Sequence, residues 1–197
     1  QGADMCVQSF HKVTGALTQS SVLHIGTGRV DKRRVERALK LVQSTSPSYL
    51  LMASLDAARY ELAVRGEDMM ERSLSLSDEL RKGIRQIPGM SCMNSGLVGK
   101  YGVQGIDGTR VVIRCQNSNG YELKRRLMEE YRIELELADE KNVLAILTHA
   151  NTEVDIQRFL AALTDIAVKS LGCTCRETPM PGLPEPEMVL TPREAYF

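Results

Sequence analysis

The sequence predicts an α/β fold in which two α/β parts of unequal size are joined by a long helix. Three observations predict it. Short apolar runs at 5–7 and 22–25 bracket a polar segment, the pattern of a sheet whose binding groups sit at strand ends. From 49 to 84 the apolar residues recur at helical rather than alternating spacing. Beyond 107 the periodicity changes in the order strand, helix, strand, strand, helix, a small α/β sandwich of about 80 residues, a size that suits a compact domain.

Met5-Cys6-Val7 reads as a buried strand and Val22-Leu23-His24-Ile25 as another, with a turn or short helix carrying His11 and Lys12 between them. Asp31 is placed to cap a helix on which Val35, Ala38, Leu39 and Val42 share a face. Ser44-Thr45-Ser46-Pro47-Ser48 is a polar loop with a proline. An Ala- and Leu-rich helix runs from 49 to about 64, Gly66 is expected to break it, and Met69, Ser73, Leu76, Leu80 and Ile84 form one face of a second helix that Pro88-Gly89 stops. Asp107-Gly108 is a turn before the strand Val111-Val112-Ile113. Tyr121, Leu123, Leu127, Met128 and Tyr131 make an amphipathic helix, Ile133 to Leu137 alternates as a half-buried strand, and 143–147 is a further strand. Thr152-x-x-Asp155 has the form of a capping box for a helix with Ile156, Phe159, Leu160, Leu163, Ile166 and Ala167 on its apolar face. Four prolines between 179 and 186, and one at 192, mark an extended linker.

Bulk properties narrow the function classes. The chain has 197 residues, enough for a sizeable core. Its 25 basic and 25 acidic residues cancel, so no basic excess points to nucleic acid and no acidic excess to a basic partner. No charged lead with an apolar run opens the chain, and no stretch approaches the roughly 20 apolar residues of a membrane helix, so the expected location is the cytoplasm. Cysteines at 6, 92, 115, 173 and 175 are odd in number and irregular in spacing, unlike a disulfide framework. Cys173-x-Cys175 lacks a second ligand pair and is expected to be two free thiols near a helix end, so no metal site is expected. Glycines at 96, 99, 102 and 105 fit neither phosphate-loop pattern and read as a flexible loop. His24 and His149 read as structural and surface residues. Met69-Met70 and Met90/Met93 read as core packing, and Lys124-Arg125-Arg126 as a solvated helix face.

The chemistry concentrates in Ser9-Phe10-His11-Lys12. A neutral lysine amine can form an imine with an aldehyde such as pyridoxal phosphate, and an adjacent hydroxyl and imidazole can bind a phosphate. By itself this string reads as surface, because most lysines are solvated. The downstream strings change the balance: Gly15-Ala16-Leu17-Thr18-Gln19-Ser20-Ser21-Val22-Leu23-His24, then Ser44-Thr45-Ser46-Pro47-Ser48-Tyr49, then Ala53-Ser54-Leu55-Asp56-Ala57-Ala58. In order and spacing these strings resemble the bacterial ornithine/lysine/arginine decarboxylase family, of the aspartate-aminotransferase fold. Asp107-Gly108-Thr109-Arg110, Asn119-Gly120-Tyr121-Glu122-Leu123, Tyr131-Arg132-Ile133-Glu134-Leu135-Glu136 and Leu190-Thr191-Pro192-Arg193-Glu194-Ala195 extend the resemblance over essentially the whole chain.

The resemblance implies a truncated C-terminal part of a pyridoxal-phosphate large domain at 1–65, a connecting helix at 66–88, a small α/β domain at 89–172 and a proline-rich linker at 173–197. It implies that Lys12 holds the cofactor, that Ser9 and His11 bind its phosphate, and that Ser44 reaches the phosphate of a neighbouring subunit, hence a homodimer with shared sites. The implied reaction is decarboxylation of arginine, lysine or ornithine, as in polyamine biosynthesis. Relatives more often carry Thr or Leu where Val13 follows the His-Lys pair, and that difference implies no change of mechanism. The family's pyridine-nitrogen Asp, ring-stacking residue and phosphate turn precede its lysine. Only eleven residues precede Lys12, and Asp4 lies too close in sequence for the pyridine role, so the chain is expected to hold part of the site. Two other readings stand beside this one: another enzyme of the same fold, such as an aminotransferase, and a non-catalytic dimerising fragment. Loss of carbon dioxide separates the first from a transaminase, and the Ser44 segment favours the decarboxylase.

Overall fold

The computed structural model describes residues 2–93, 95–170, 182 and 185–196. The predicted Cys173-x-Cys175 pair and residues 173–181, 183, 184 and 197 of the proline-rich segment lie outside them.

Strands β1 (Met5–Gln8) and β2 (Val22–Ile25) form an antiparallel pair, with Met5 opposite Ile25 and Gln8 opposite Val22. The single turn α1 (Phe10–Val13) lies between them. Both strands stand where the apolar runs predict, but β1 is not buried: all four of its residues are exposed, Val7 to 71%. An apolar run specifies a strand's local geometry and not what covers it. Helix α2 (Lys32–Val42) starts at Asp31, whose carboxylate accepts the Arg33 N–H at 2.9 Å. It buries no residue completely, and Leu41 and Val42 are exposed.

Helix α3 (Tyr49–Ile84) is continuous over 36 residues, so the expected break at Gly66 does not occur. A glycine costs a helix interior about 1 kcal/mol relative to alanine, too little to stop a helix held on both sides by long runs of good formers. Ser48 caps its start by accepting the Leu51 N–H at 3.4 Å. The helix ends four residues before Pro88.

The second sheet has the order β3-β4-β6-β5, all neighbours antiparallel. Its strands are β3 (Met90–Cys92), β4 (Arg110–Cys115), β5 (Leu137–Ala138) and β6 (Val143–Ile146). Helices α4 (Gly120–Tyr131) and α5 (Glu153–Lys169) pack on it with the last turns of α3. The short α6 (Pro192–Tyr196) falls in the tail. Strand β3 is too short for its periodicity to show in the sequence. The strand expected at 133–137 shrinks to two residues. Ile133 and Leu135 point inward, but the next core-facing position is Ala138 rather than Leu137, so the two-residue period slips by one.

The main core lies wholly in this second part. Leu76, Leu80 and Ile84 of α3 meet Val111, Ile113, Leu123, Leu127, Val143, Ile156, Leu163 and Ile166. Burying each such side chain contributes about 1.5–3 kcal/mol. Polar contacts lock α3 to the sheet: Ser77 donates to the Gly108 carbonyl at 2.5 Å, and Arg81 donates to Gly108 and Arg110 carbonyls at 3.1 and 2.7 Å. The Thr152–Asp155 capping box of α5 forms as the sequence predicts, with Asp155 accepting the Thr152 N–H at 2.8 Å.

Three further expectations change. The segment around Gly99 and Gly102 is a hydrogen-bonded turn, its Gly99 N–H held by the Val103 carbonyl at 2.8 Å, and both glycines take positive φ. The basic run on α4 is not simply solvated. Arg126 is 13% exposed, paired with Glu130 at 2.9 Å and bonded to Ser170 at 3.1 Å, while Arg125 bridges Glu122 and Glu129. Met69 and Met90 are buried as expected, whereas Met70 and Met93 are exposed.

Candidate functional site

Strand β1 delivers the chain directly into α1, so Ser9, His11 and Lys12 sit within one turn at the strand's end. Ser9 is the N-cap residue of α1, yet its hydroxyl makes no capping bond, and the residue is exposed. His11 is half-buried, and Lys12 is exposed. Among the described residues Lys12 makes no ion pair, so its amine is open to a reactant. The turn is closed by the Lys12 N–H on the Ser9 carbonyl at 3.2 Å and by the Thr14 hydroxyl on the Phe10 carbonyl at 2.6 Å. Thr14, to which the sequence assigns no role, thus terminates α1.

The segment after α1 returns the chain to β2. Gly15 has φ +85° and Gln19 φ +77°, so two left-handed residues shape it. Its Ala16 and Ser20 are buried at 7% and 2% exposure. The Ser20 hydroxyl is buried without a hydrogen-bond partner, while the Ser20 carbonyl accepts the His11 N–H at 3.2 Å. The Leu17 N–H donates to the Ser54 hydroxyl of α3 at 3.2 Å, a bond spanning 37 residues of sequence. Nothing in the local pattern around Ser54 marks it as an anchor.

Ser44 stands apart from this turn. It lies exposed between α2 and α3, where its hydroxyl accepts the Ser46 N–H at 3.1 Å. The fold of this single chain brings Ser9, His11 and Lys12 together by local geometry and leaves Ser44 in its own loop. Asp4 precedes β1 at the end opposite α1, where its carboxylate accepts from Thr27 and Arg29 at 2.5 and 2.9 Å. It is therefore committed to the hairpin.

A cleft of about 380 Å³ opens beside the turn, with Phe10, Val22 and His24 on one wall and Met52, Leu55 and the Asp56–Arg59 ion pair (2.8 Å) on the other. His24 is thus an exposed mid-strand residue facing a cleft rather than a satisfied sheet end. A second cavity of about 290 Å³ lies between α5, β6 and residues 132–135, and includes none of the four candidate residues. Among the described residues no three His, Cys, Asp or Glu are grouped to hold a metal ion. No described helix is long and apolar enough to cross a membrane.

Comparison with known proteins identifies the family. The family model for Orn/Lys/Arg decarboxylase, major domain, matches residues 2–108, which include α1, the Ser44 loop and all of α3. The chain is 38% identical over its whole length to the arginine decarboxylase of Bacillus subtilis (strain 168), and 36% identical to that of Halalkalibacterium halodurans. It spans 41% of the length of each of these relatives. In fold it resembles the lysine decarboxylase of Francisella novicida, with a TM-score of 0.68 over 81% of this chain and 27% of that one, at 19% identity. On the match over residues 2–108, more than half its length, the chain belongs to the Orn/Lys/Arg decarboxylase family.

Proposed function

We propose that this chain carries the lysine-bearing part of a site for pyridoxal-phosphate-dependent decarboxylation of a basic amino acid: arginine, lysine or ornithine. One observation carries the proposal: an uncommitted hydroxyl, an imidazole and an exposed amine share the single turn that follows β1. This donor set fits the cofactor, since an aldehyde needs an amine and a phosphate needs compact donors. The arginine and lysine decarboxylases similar to this chain support a basic amino acid as substrate.

In this reading Lys12 holds the cofactor through its amine, and Ser9 and His11 donate to its phosphate. The cofactor, when bound, supplies the electron sink that lets the substrate carboxylate leave as carbon dioxide. With the cofactor bound, the Lys12 amine would hold it between turnovers and would release the amine product. Residues 1–65 serve cofactor binding, 66–88 connect and 89–170 belong to the small domain. The assembly is a cytoplasmic homodimer in which Ser44 reaches the phosphate site of the neighbouring subunit. Exposed Leu41, Val42, Tyr49, Leu50 and Met52 flank Ser44 on both sides and support such a contact.

The test is direct. The chain is mixed with pyridoxal phosphate, reduced with borohydride and digested, and the tagged peptide is identified. The tag is expected on Lys12 and absent from Lys12→Ala; a folded chain tagged elsewhere or not at all defeats the cofactor assignment. Carbon dioxide release from arginine, lysine and ornithine by the full-length parent then identifies the substrate.

A further inference from the structure

We propose that Ser54 is a positioning residue for Lys12, an inference that rests on the cofactor reading above. The turn α1 has four residues, too few to hold itself by helical cooperativity. Its place must therefore come from outside. One line of hydrogen bonds runs from it to α3, every donor facing the same way. The His11 N–H donates to the Ser20 carbonyl, the Ser20 N–H to the Leu17 carbonyl and the Leu17 N–H to the Ser54 hydroxyl, each at 3.2 Å. The Ser54 hydroxyl then donates to the Leu51 carbonyl at 2.8 Å.

Ser54 differs from an ordinary helical serine in this respect. The bond back to Leu51 is common local behaviour for a helical serine. The bond from Leu17 is not, because it joins the segment carrying Lys12 to a helix whose other end is fixed in the main core at Leu80 and Ile84. The return segment lies against its support, with Ala16 and Ser20 buried, while Lys12 itself stays exposed. Ser54 therefore sets where the Lys12 amine stands relative to the rigid body of the molecule, without touching the amine.

Ser54→Ala removes the acceptor; Ser54→Thr keeps it; Ser54→Cys is nearly isosteric with a weak acceptor. Amide hydrogen exchange is read first, because it needs no cofactor. The N–H groups of Leu17, Ser20 and His11 are expected to exchange about tenfold faster together in Ser54→Ala, as one local opening unit. They return to the parent rates in Ser54→Thr and lie between in Ser54→Cys. Faster exchange confined to Leu17, with Ser20 and His11 unchanged, overturns the proposal. The rate of borohydride-trapped tagging of Lys12 by pyridoxal phosphate is read second. It is expected to fall about tenfold in Ser54→Ala at an unchanged melting temperature, and to recover in Ser54→Thr, since small misplacements of a reacting group are costly in rate. A parent-like tagging rate in Ser54→Ala also overturns the proposal. A parent chain never tagged at Lys12 defeats the cofactor reading instead, and the exchange pattern still decides whether Ser54 anchors the turn.

Discussion

Gly120 and Gly66 are expected to respond to alanine with opposite signs. Gly120 opens α4, and Asn119 caps that helix by accepting the Glu122 N–H at 2.7 Å. A Cβ on Gly120 would lie 2.8 Å from the Asn142 carbonyl carbon and closer still to the carbonyl oxygens of Asn142 and Asp139. Those oxygens cannot swing away. The Asp139 carboxylate holds the Lys141 and Asn142 N–H groups at 2.7 Å each, and the Gly120 N–H holds the Glu140 carbonyl at 3.3 Å. Relief therefore means moving backbone, at the expense of about two hydrogen bonds at roughly 1 kcal/mol each and of overpacking at about 1–3 kcal/mol. Alanine's helical preference returns about 0.5–1 kcal/mol. The net loss for Gly120→Ala is about 2–4.5 kcal/mol. At Gly66, inside α3, an added Cβ would meet only Leu62 at 3.8 Å, an ordinary contact. Gly66→Ala therefore has only the helical preference to gain, about 0.5–1 kcal/mol of stabilisation. Urea unfolding followed by circular dichroism measures both midpoints in the same chain. A Gly120→Ala variant as stable as the parent would refute the close approach of the β5–β6 turn to α4.

Two further outcomes concern the second part of the molecule. Arg132 ends α4 in the left-handed conformation, φ +58°, which side chains other than glycine resist. Arg132→Gly is expected to raise stability by about 0.5–1 kcal/mol, and a lower urea midpoint would contradict the assigned cap. Acid should weaken the fold through Asp155 and Asp139. Asp155 is held below its ordinary range first by the Thr152 backbone N–H, and Asp139 first by the Lys141 N–H. A carboxylate whose pKa is lowered on folding stabilises fully above its unfolded value, near 4; that contribution fades as pH falls through the folded value. The melting temperature should drop on going from pH 5 to pH 3 with a shallower slope in Asp155→Ala than in the parent; equal slopes would remove Asp155 from the account.

Much of the candidate site is legible in the sequence because it is local. Ser9, His11 and Lys12 fall within one turn, so no tertiary information is needed to bring them together. The cap residue Asp31 and the Thr152–Asp155 box are legible for the same reason: each bonds to backbone two or three residues away. Periodicity likewise locates α4, α5 and β4, because a buried face repeats with the period of its own backbone.

Tertiary structure decided what depends on distant partners. Gly66 looks like a break, but neighbouring turns carry the helix across it. The apolar run of β1 looks buried, yet none of the described residues covers it. Alternation through 133–137 slips because residues 135 and 138 both turn inward. Arg126 looks solvated until α5 brings Ser170 to it. The Ser54 anchor is invisible in the sequence, since a hydroxyl and an amide 37 residues apart share no pattern. Local spacing determined which groups stand at the turn of Lys12, and the packing of α3 decided where that turn is held.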